Sequence, residues 1–280
     1  MKNSNRTVNG VYLQNCLYQH LPFNMLPNTT LNEALNIQSG VAPGQGVYPK
    51  TAYFGIGNGG IKATTTSDGL VKIQASDHYG DHAGFYRQLP FVMRSLDNDL
   101  TVVERARYAL RRVETHNFIQ YAVYYLRRLD MTNVVPELQT LNIVDGVTTV
   151  TAYSPTSGNL NPTAPLVQST GVNTVNGVFI TASSKNIIVF TADDIAELVN
   201  VSNILFNDPD YAIISEIGIV AAVDKTVNVP SVGNTVISFN EVISAQIVSF
   251  INTTIIASAA GGGTTTEFDL GATEPLFSLG

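Results

Sequence analysis

The sequence predicts a mainly β fold with minor α content (α+β): an antiparallel, β-rich single core with extended amino- and carboxy-terminal arms. Three observations predict it. β-Branched and aromatic residues fill short runs between Thr51 and Ile256, the composition that suits a pleated, half-buried surface. Turn pairs such as Asp68-Gly69 and Asp145-Gly146 punctuate those runs. A chain of 280 residues, 44% of them hydrophobic, has enough apolar surface to build a substantial core. The expected division is an arm over 1–50, a core over 51–256 and a tail over 257–280.

Residues 1–50 are rich in Asn, Pro and Gly, with apolar patches at Val11-Tyr12-Leu13 and from Leu31 to Ile37. They read as an extended arm with one or two helical turns. Thr-Ala-Tyr-Phe-Gly-Ile-Gly-Asn-Gly-Gly from Thr51 reads as a strand followed by a glycine turn, and Ala63 to Gly69 as a loop. Between Val102 and Asp130 the first half also suits a helix face. The run from Phe118 to Leu129, crowded with Tyr and Val, decides for a hairpin with Thr115-His116-Asn117 as its turn. In that hairpin Tyr108-Ala109-Leu110-Arg111-Arg112 is echoed by Tyr124-Tyr125-Leu126-Arg127-Arg128.

Further strands are expected from Leu141 to Tyr153 around Asp145-Gly146, from Gly177 to Ala182 and from Asn186 to Phe190. Thr191 is placed to cap a helix over about 192–205, with Asp193 and Asp194 where the helix dipole favours acids. Asn207-Asp208-Pro209-Asp210 stops it. Ile213 to Val223 reads as a buried strand, and Val236 to Ile256 as either a strand pair or a helix from Glu241. The tail has a glycine hinge at 261–263 and an apolar tip, Leu276-Phe277, that needs a docking site.

The charge is unevenly spread. Eight of nine arginines lie between Arg87 and Arg128; residues 1–128 carry a net +5 and residues 129–280 a net −12. Complementary potentials of this kind steer association, which favours an assembly subunit over an enzyme. The expected inter-subunit residues are therefore Arg105, Arg107, Arg111, Arg112, Arg127 and Arg128, with Leu276 and Phe277 of the tail. A net charge of −7 argues against general nucleic-acid binding. The single cysteine, Cys16, excludes an internal disulfide framework. No run of 18 apolar residues and no signal-peptide pattern is present, so synthesis in the cytoplasm without membrane association is expected.

Candidate chemistry is sparse. Gly55-Ile56-Gly57-Asn58-Gly59-Gly60 matches a dinucleotide-binding pattern, but no helix is expected after it to hold a pyrophosphate; close approach of two backbones is the better reading. Asp77-His78-Tyr79-Gly80-Asp81-His82 offers paired His and Asp at a spacing of four, which Gly80 and the lack of a third ligand weaken as a metal grip. Asp97-Asn98-Asp99 reads as a turn, and His20 and His116 stand alone. No catalytic residue, cofactor or metal is expected.

Tyr53 to Gly60, Ser67-Asp68-Gly69, Phe85-Tyr86-Arg87-Gln88-Leu89-Pro90-Phe91, Arg94 to Leu100 and the Arg-Tyr hairpin together resemble virion structural proteins of contractile-tailed bacteriophages. Ile214-Ser215-Glu216-Ile217-Gly218 and Glu241 to Gln246 are similar too; about half of the chain is covered. The resemblance implies a virion protein made in the host cytoplasm. It fits best a neck or collar ring at the head–tail connection, whose partners are copies of itself and the portal or connector, tail tube or sheath terminator. Baseplate and capsid-surface positions stay open. A tail-tip receptor-binding module and a cell-wall hydrolase are the readings from other classes; the absence of Trp counts against the first and the missing acid or metal against the second.

Overall fold

The computed structural model describes residues 4–22, 35, 46–65, 67–68, 71–75, 77–160, 178–230, 236–257 and 262–275. In chain order the elements are β1 (Ser4–Arg6), α1 (Val8–Gln19), β2 (Lys50–Gly57), β3 (Ile61–Thr65), β4 (Val71–Ala75), β5 (Gln88–Leu89), β6 (Val92–Ser95), α2 (Val102–Arg105), β7 (Tyr108–His116) and β8 (Ile119–Arg128). They continue with β9 (Pro136–Val144), β10 (Val147–Ala152), α3 (Ser157–Leu160), β11 (Val178–Phe190), α4 (Ala192–Phe206), β12 (Ile213–Pro230), β13 (Val236–Ile256) and β14 (Thr264–Pro275). The fold is the β-rich, antiparallel α+β fold expected.

Its division differs from the expected arm, core and tail. The chain forms two compact units, one of residues 1–131 and 187–266, the other of residues 132–186 and 267–280. In the first, an eight-stranded sheet runs β1-β13-β12-β2-β8-β6, with β5 on β2 and β7 on β8. Two continuous strands, β12 and β13, dominate it, paired antiparallel from Ile213↔Ile256 to Pro230↔Val236. The alternative of a helix from Glu241 is excluded, and so is a break of 236–256 into two strands. Irregularities at Ile214/Glu216, Ile219/Val220 and Ala221/Val223 each shift the register and let so long a pair twist.

The amino-terminal segment is more than an arm. Thr7 caps α1 through its hydroxyl, and the helix packs on β13 through Asn9, Gly10, Leu13 and Cys16. Gly10 is required there: a Cβ would stand 2.3 Å from the Val248 carbonyl oxygen. The hairpin β7–β8 packs Ala109, Leu110 and Leu126 against Ala222, Val242, Ala245 and Phe250. Its turn is Asn117-Phe118, one residue later than expected, since His116 pairs with Ile119. On the other side α4 lays Val201, Ile204 and Leu205 against Met93, Val123 and Tyr121. The expected cap is present as a reciprocal box, the Thr191 hydroxyl accepting from the Asp194 N–H and the Asp194 carboxylate from that of Thr191. Residues 63–65, part of the expected loop from Ala63 to Gly69, belong to β3, which pairs with β4.

The second unit holds a four-stranded sheet, β10-β9-β11-β14. Asp145-Gly146 closes β9–β10 with φ of 50° and 78°, the signature of a two-residue type I′ turn. The expected strands at 177–182 and 186–190 are one strand, β11, and the expected tail contains β14. Leu276 and Phe277 lie outside the described residues, as does most of the apolar patch from Leu31 to Ile37. No helix among the described residues is long and apolar enough to cross a membrane.

Candidate functional site

Glu216 is the hub of the first unit, and the sequence signals it only as one acid in the apolar run of β12. It is 1% exposed. Its Oε1 accepts from the N–H groups of Gly59 and Arg87, both at 3.1 Å. Its Oε2 accepts from the Tyr86 N–H at 3.0 Å and from His78 Nε2 at 2.7 Å. Four donors leave this carboxylate fully engaged. It fastens the segment 77–89 and the turn after β2 to the centre of the sheet.

The glycine pattern makes that closeness possible. A Cβ at Gly57 would lie 2.4 Å from Glu216 Oε1 and 2.6 Å from the Arg87 carbonyl oxygen; one at Gly59 would lie 2.5 Å from the Arg87 nitrogen. The backbone-approach reading of Gly55 to Gly60 therefore holds, and β3 follows the turn where a dinucleotide site needs a helix. Across the β2–β12 ladder Gly55 faces Gly218, and the slot between them takes the Phe85 ring, which meets Phe250 edge-on at 5.6 Å.

The Asp77 to His82 cluster joins the same site. His78 stacks flat on Phe250 at 3.6 Å, and its Nδ1 lies 3.1 Å from His82 Nδ1. A carboxylate only accepts, so His78 Nε2 carries a hydrogen. The Tyr79 N–H also points at His82 Nδ1, at 3.3 Å. Asp77 Oδ1 accepts from the Asn252 amide at 2.9 Å. Among the described residues no group of three His, Cys, Asp or Glu is placed to hold a metal ion. This arrangement joins segments, its carboxylate engaged by four donors.

The arginines also turn inward. Arg111 donates through Nε and Nη2 to Asp99 Oδ2 at 3.1 and 2.9 Å, Arg105 Nη1 stands 3.8 Å from the same oxygen, and the Tyr124 hydroxyl donates to Asp99 Oδ1. Arg127 and Arg107 reach Asp194 at 2.9 and 3.4 Å. Arg112 pairs with Glu241 at 2.8 Å and donates to the Leu35 carbonyl. Arg128 meets Asp224 at 3.1 Å and lies over the Tyr53 ring, and Arg94 pairs with Glu197. The six arginines expected to face a neighbouring subunit thus have partners in their own chain. Except for Asp99, those acids come from the strongly acidic second half, so the charge split is largely an internal complementarity that holds β7–β8 to α4, β12 and β13. Burial and a hydrogen bond to a carboxylate raise Tyr53, Tyr124 and Tyr125 far above the ordinary phenol range.

Several outward projections are apolar. Phe118, at the β7–β8 corner, is fully exposed and has φ 64°. Ile119 follows it, Val113 is exposed farther back on β7, and Val102 and Val103 stand out on α2. Glu114, the one acid near the tip, is engaged by Tyr125 and His116. On α1, which has no charged residue, Val8, Val11 and Tyr18 point away from β13. In the second unit β10 is exposed along its whole length.

A family model described as a family of unknown function (DUF7208) matches residues 1–279. No curated protein and no solved structure matches the chain.

Proposed function

We propose, on the premise that the chain belongs to the DUF7208 family of unknown function, that it is a non-catalytic structural subunit of a contractile-tailed bacteriophage particle. In this reading it assembles with copies of itself into a ring in the neck, at the head–tail connection, and contacts other virion proteins there. One observation carries the proposal: the arginine band is paired within its own chain, while a projecting hairpin corner and helix faces expose apolar residues such as Phe118, Val103 and Tyr18. Exposed aromatic and aliphatic anchors of this kind are what an interface core uses. The sequence resemblance supplies the particle, and the full engagement of Glu216 and His78 supports a holding role over a chemical one. Quantitative mass spectrometry of gradient-purified particles tests it. The chain should be present at a fixed stoichiometry of several copies per particle; its absence from infectious particles would overturn the reading.

A further inference from the structure

We infer that β10 is an inter-subunit strand: its open edge pairs antiparallel with β10 of a second copy, joining two four-stranded sheets into one of eight. The inference rests on the assembly reading and names the contact within it.

A strand at a sheet edge presents unpaired N–H and C=O groups, and proteins that must stay apart guard such edges with charges, proline or bulges. β10, Val147-Thr148-Thr149-Val150-Thr151-Ala152, has none of these. It pairs with β9 in unbroken register from Val147↔Val144 to Ala152↔Gln139, and all six residues are exposed. The opposite edge of the same sheet is guarded: β14 carries Glu267, Asp269 and Glu274, and Glu267 pairs with Lys185 of β11 at 2.7 Å. The charge pattern selects the occupant. Two copies of β14 would set carboxylates against carboxylates, whereas two copies of β10 bring only Val, Thr and Ala together, the favourable cross-strand pairs.

Geometry fixes the register to two choices. Val144 and Val147 flank a two-residue turn and form a hydrogen-bonded pair, so Thr148, Val150 and Ala152 direct their N–H and C=O groups to the open side. A two-fold axis normal to the sheet keeps each face on one side and places residues of equal parity opposite each other. The axis then falls at Thr149, pairing Thr148 with Val150 of the second copy, or at Val150, pairing Thr148 with Ala152. Either choice continues the row Val150, Leu141 and Phe179 across the joined sheet. An edge of six residues covers less than the roughly 800 Å² per partner of a standard interface, so this contact works alongside others in the assembly.

The test compares the wild-type chain with Val150→Lys, Thr149→Cys and Val150→Cys by light scattering after size exclusion over a concentration series, with thermal melts as the folding control. Both positions are exposed, so all variants should melt like the wild type. Val150→Lys should weaken self-association by about tenfold or more, since in either register it brings two ammonium groups close to the axis, directly opposed or diagonal to each other. One cysteine variant should form a disulfide-linked dimer on mild oxidation, Cys16 being buried, and which one does so reports the register. Wild-type association that survives Val150→Lys, with neither cysteine cross-linking, overturns the β10 contact and leaves the assembly reading standing. A wild-type chain that is monomeric at every concentration overturns both.

Discussion

Phe118 sits at a turn corner with φ 64°, a conformation that costs a bulky residue on the order of 1 kcal/mol and that glycine adopts freely. Nothing in its own unit offsets that cost, because the ring is fully exposed. Phe118→Gly should therefore stabilise the isolated chain by about 1 kcal/mol, raising Tm by about 2–4 °C, while weakening assembly. A melt showing destabilisation would assign the ring a structural role. Gly57 and Glu216 predict the opposite sign. Gly57→Ala forces a Cβ into a carboxylate oxygen, and Glu216→Gln turns an amide toward the Tyr86 N–H or the His78 ring; each should cost about 3 kcal/mol or more in denaturant unfolding. The tyrosines give a pH signature. Tyr53, Tyr124 and Tyr125 are raised in the fold, so their contribution is complete below the ordinary phenol pKa of about 10 and is lost as pH rises above it, where the unfolded chain ionises first. A phenolate titration by absorbance should show three of the 12 tyrosines ionising only as the chain unfolds.

Elements divide by how locally they are encoded. α4 was legible because Thr191 and Asp194 form a cap whose spacing is written in the sequence, and the β9–β10 turn because Asp145-Gly146 supplies both positive φ angles. The β7–β8 turn shifted by one residue because Phe118 occupies a corner that local rules give to glycine. α1 read as arm because its helicity comes from packing on β13, including the Gly10 contact with Val248, and not from propensity. β12 and β13 read as pieces because strands of 18 and 21 residues exceed ordinary lengths. The ion pairs between these elements should differ sharply in worth. Asp99→Ala leaves Arg111 and Arg105 buried without their acid and should cost about 3–5 kcal/mol, whereas Asp224→Ala, with Arg128 and Asp224 each more than a third exposed and only the Tyr53 hydroxyl losing an acceptor, should cost less, about 1–2 kcal/mol. Equal losses in chemical denaturation would contradict this ranking.

At the scale of the whole molecule, the +5 and −12 halves were legible as charges but not as partners. Composition cannot tell whether a basic band meets acids in its own chain or in a neighbour; only the register of β7 and β8 and the placement of α4 bring Arg127 to Asp194 and Arg112 to Glu241. Glu216 was hidden for the same reason. Its four donors lie from 129 to 157 residues away in sequence, and the signals were indirect: one acid in an apolar strand and a glycine cluster with no helix behind it. With the arginine band satisfied internally, assembly falls to the apolar projections. Electron cryo-microscopy of the particle, averaged at the head–tail junction, tests this most directly. The account predicts a closed ring of this chain in which the Phe118 corner and the β10 edge are covered by neighbouring protein. A particle in which the chain is located with both features in solvent and no copies in contact would contradict it.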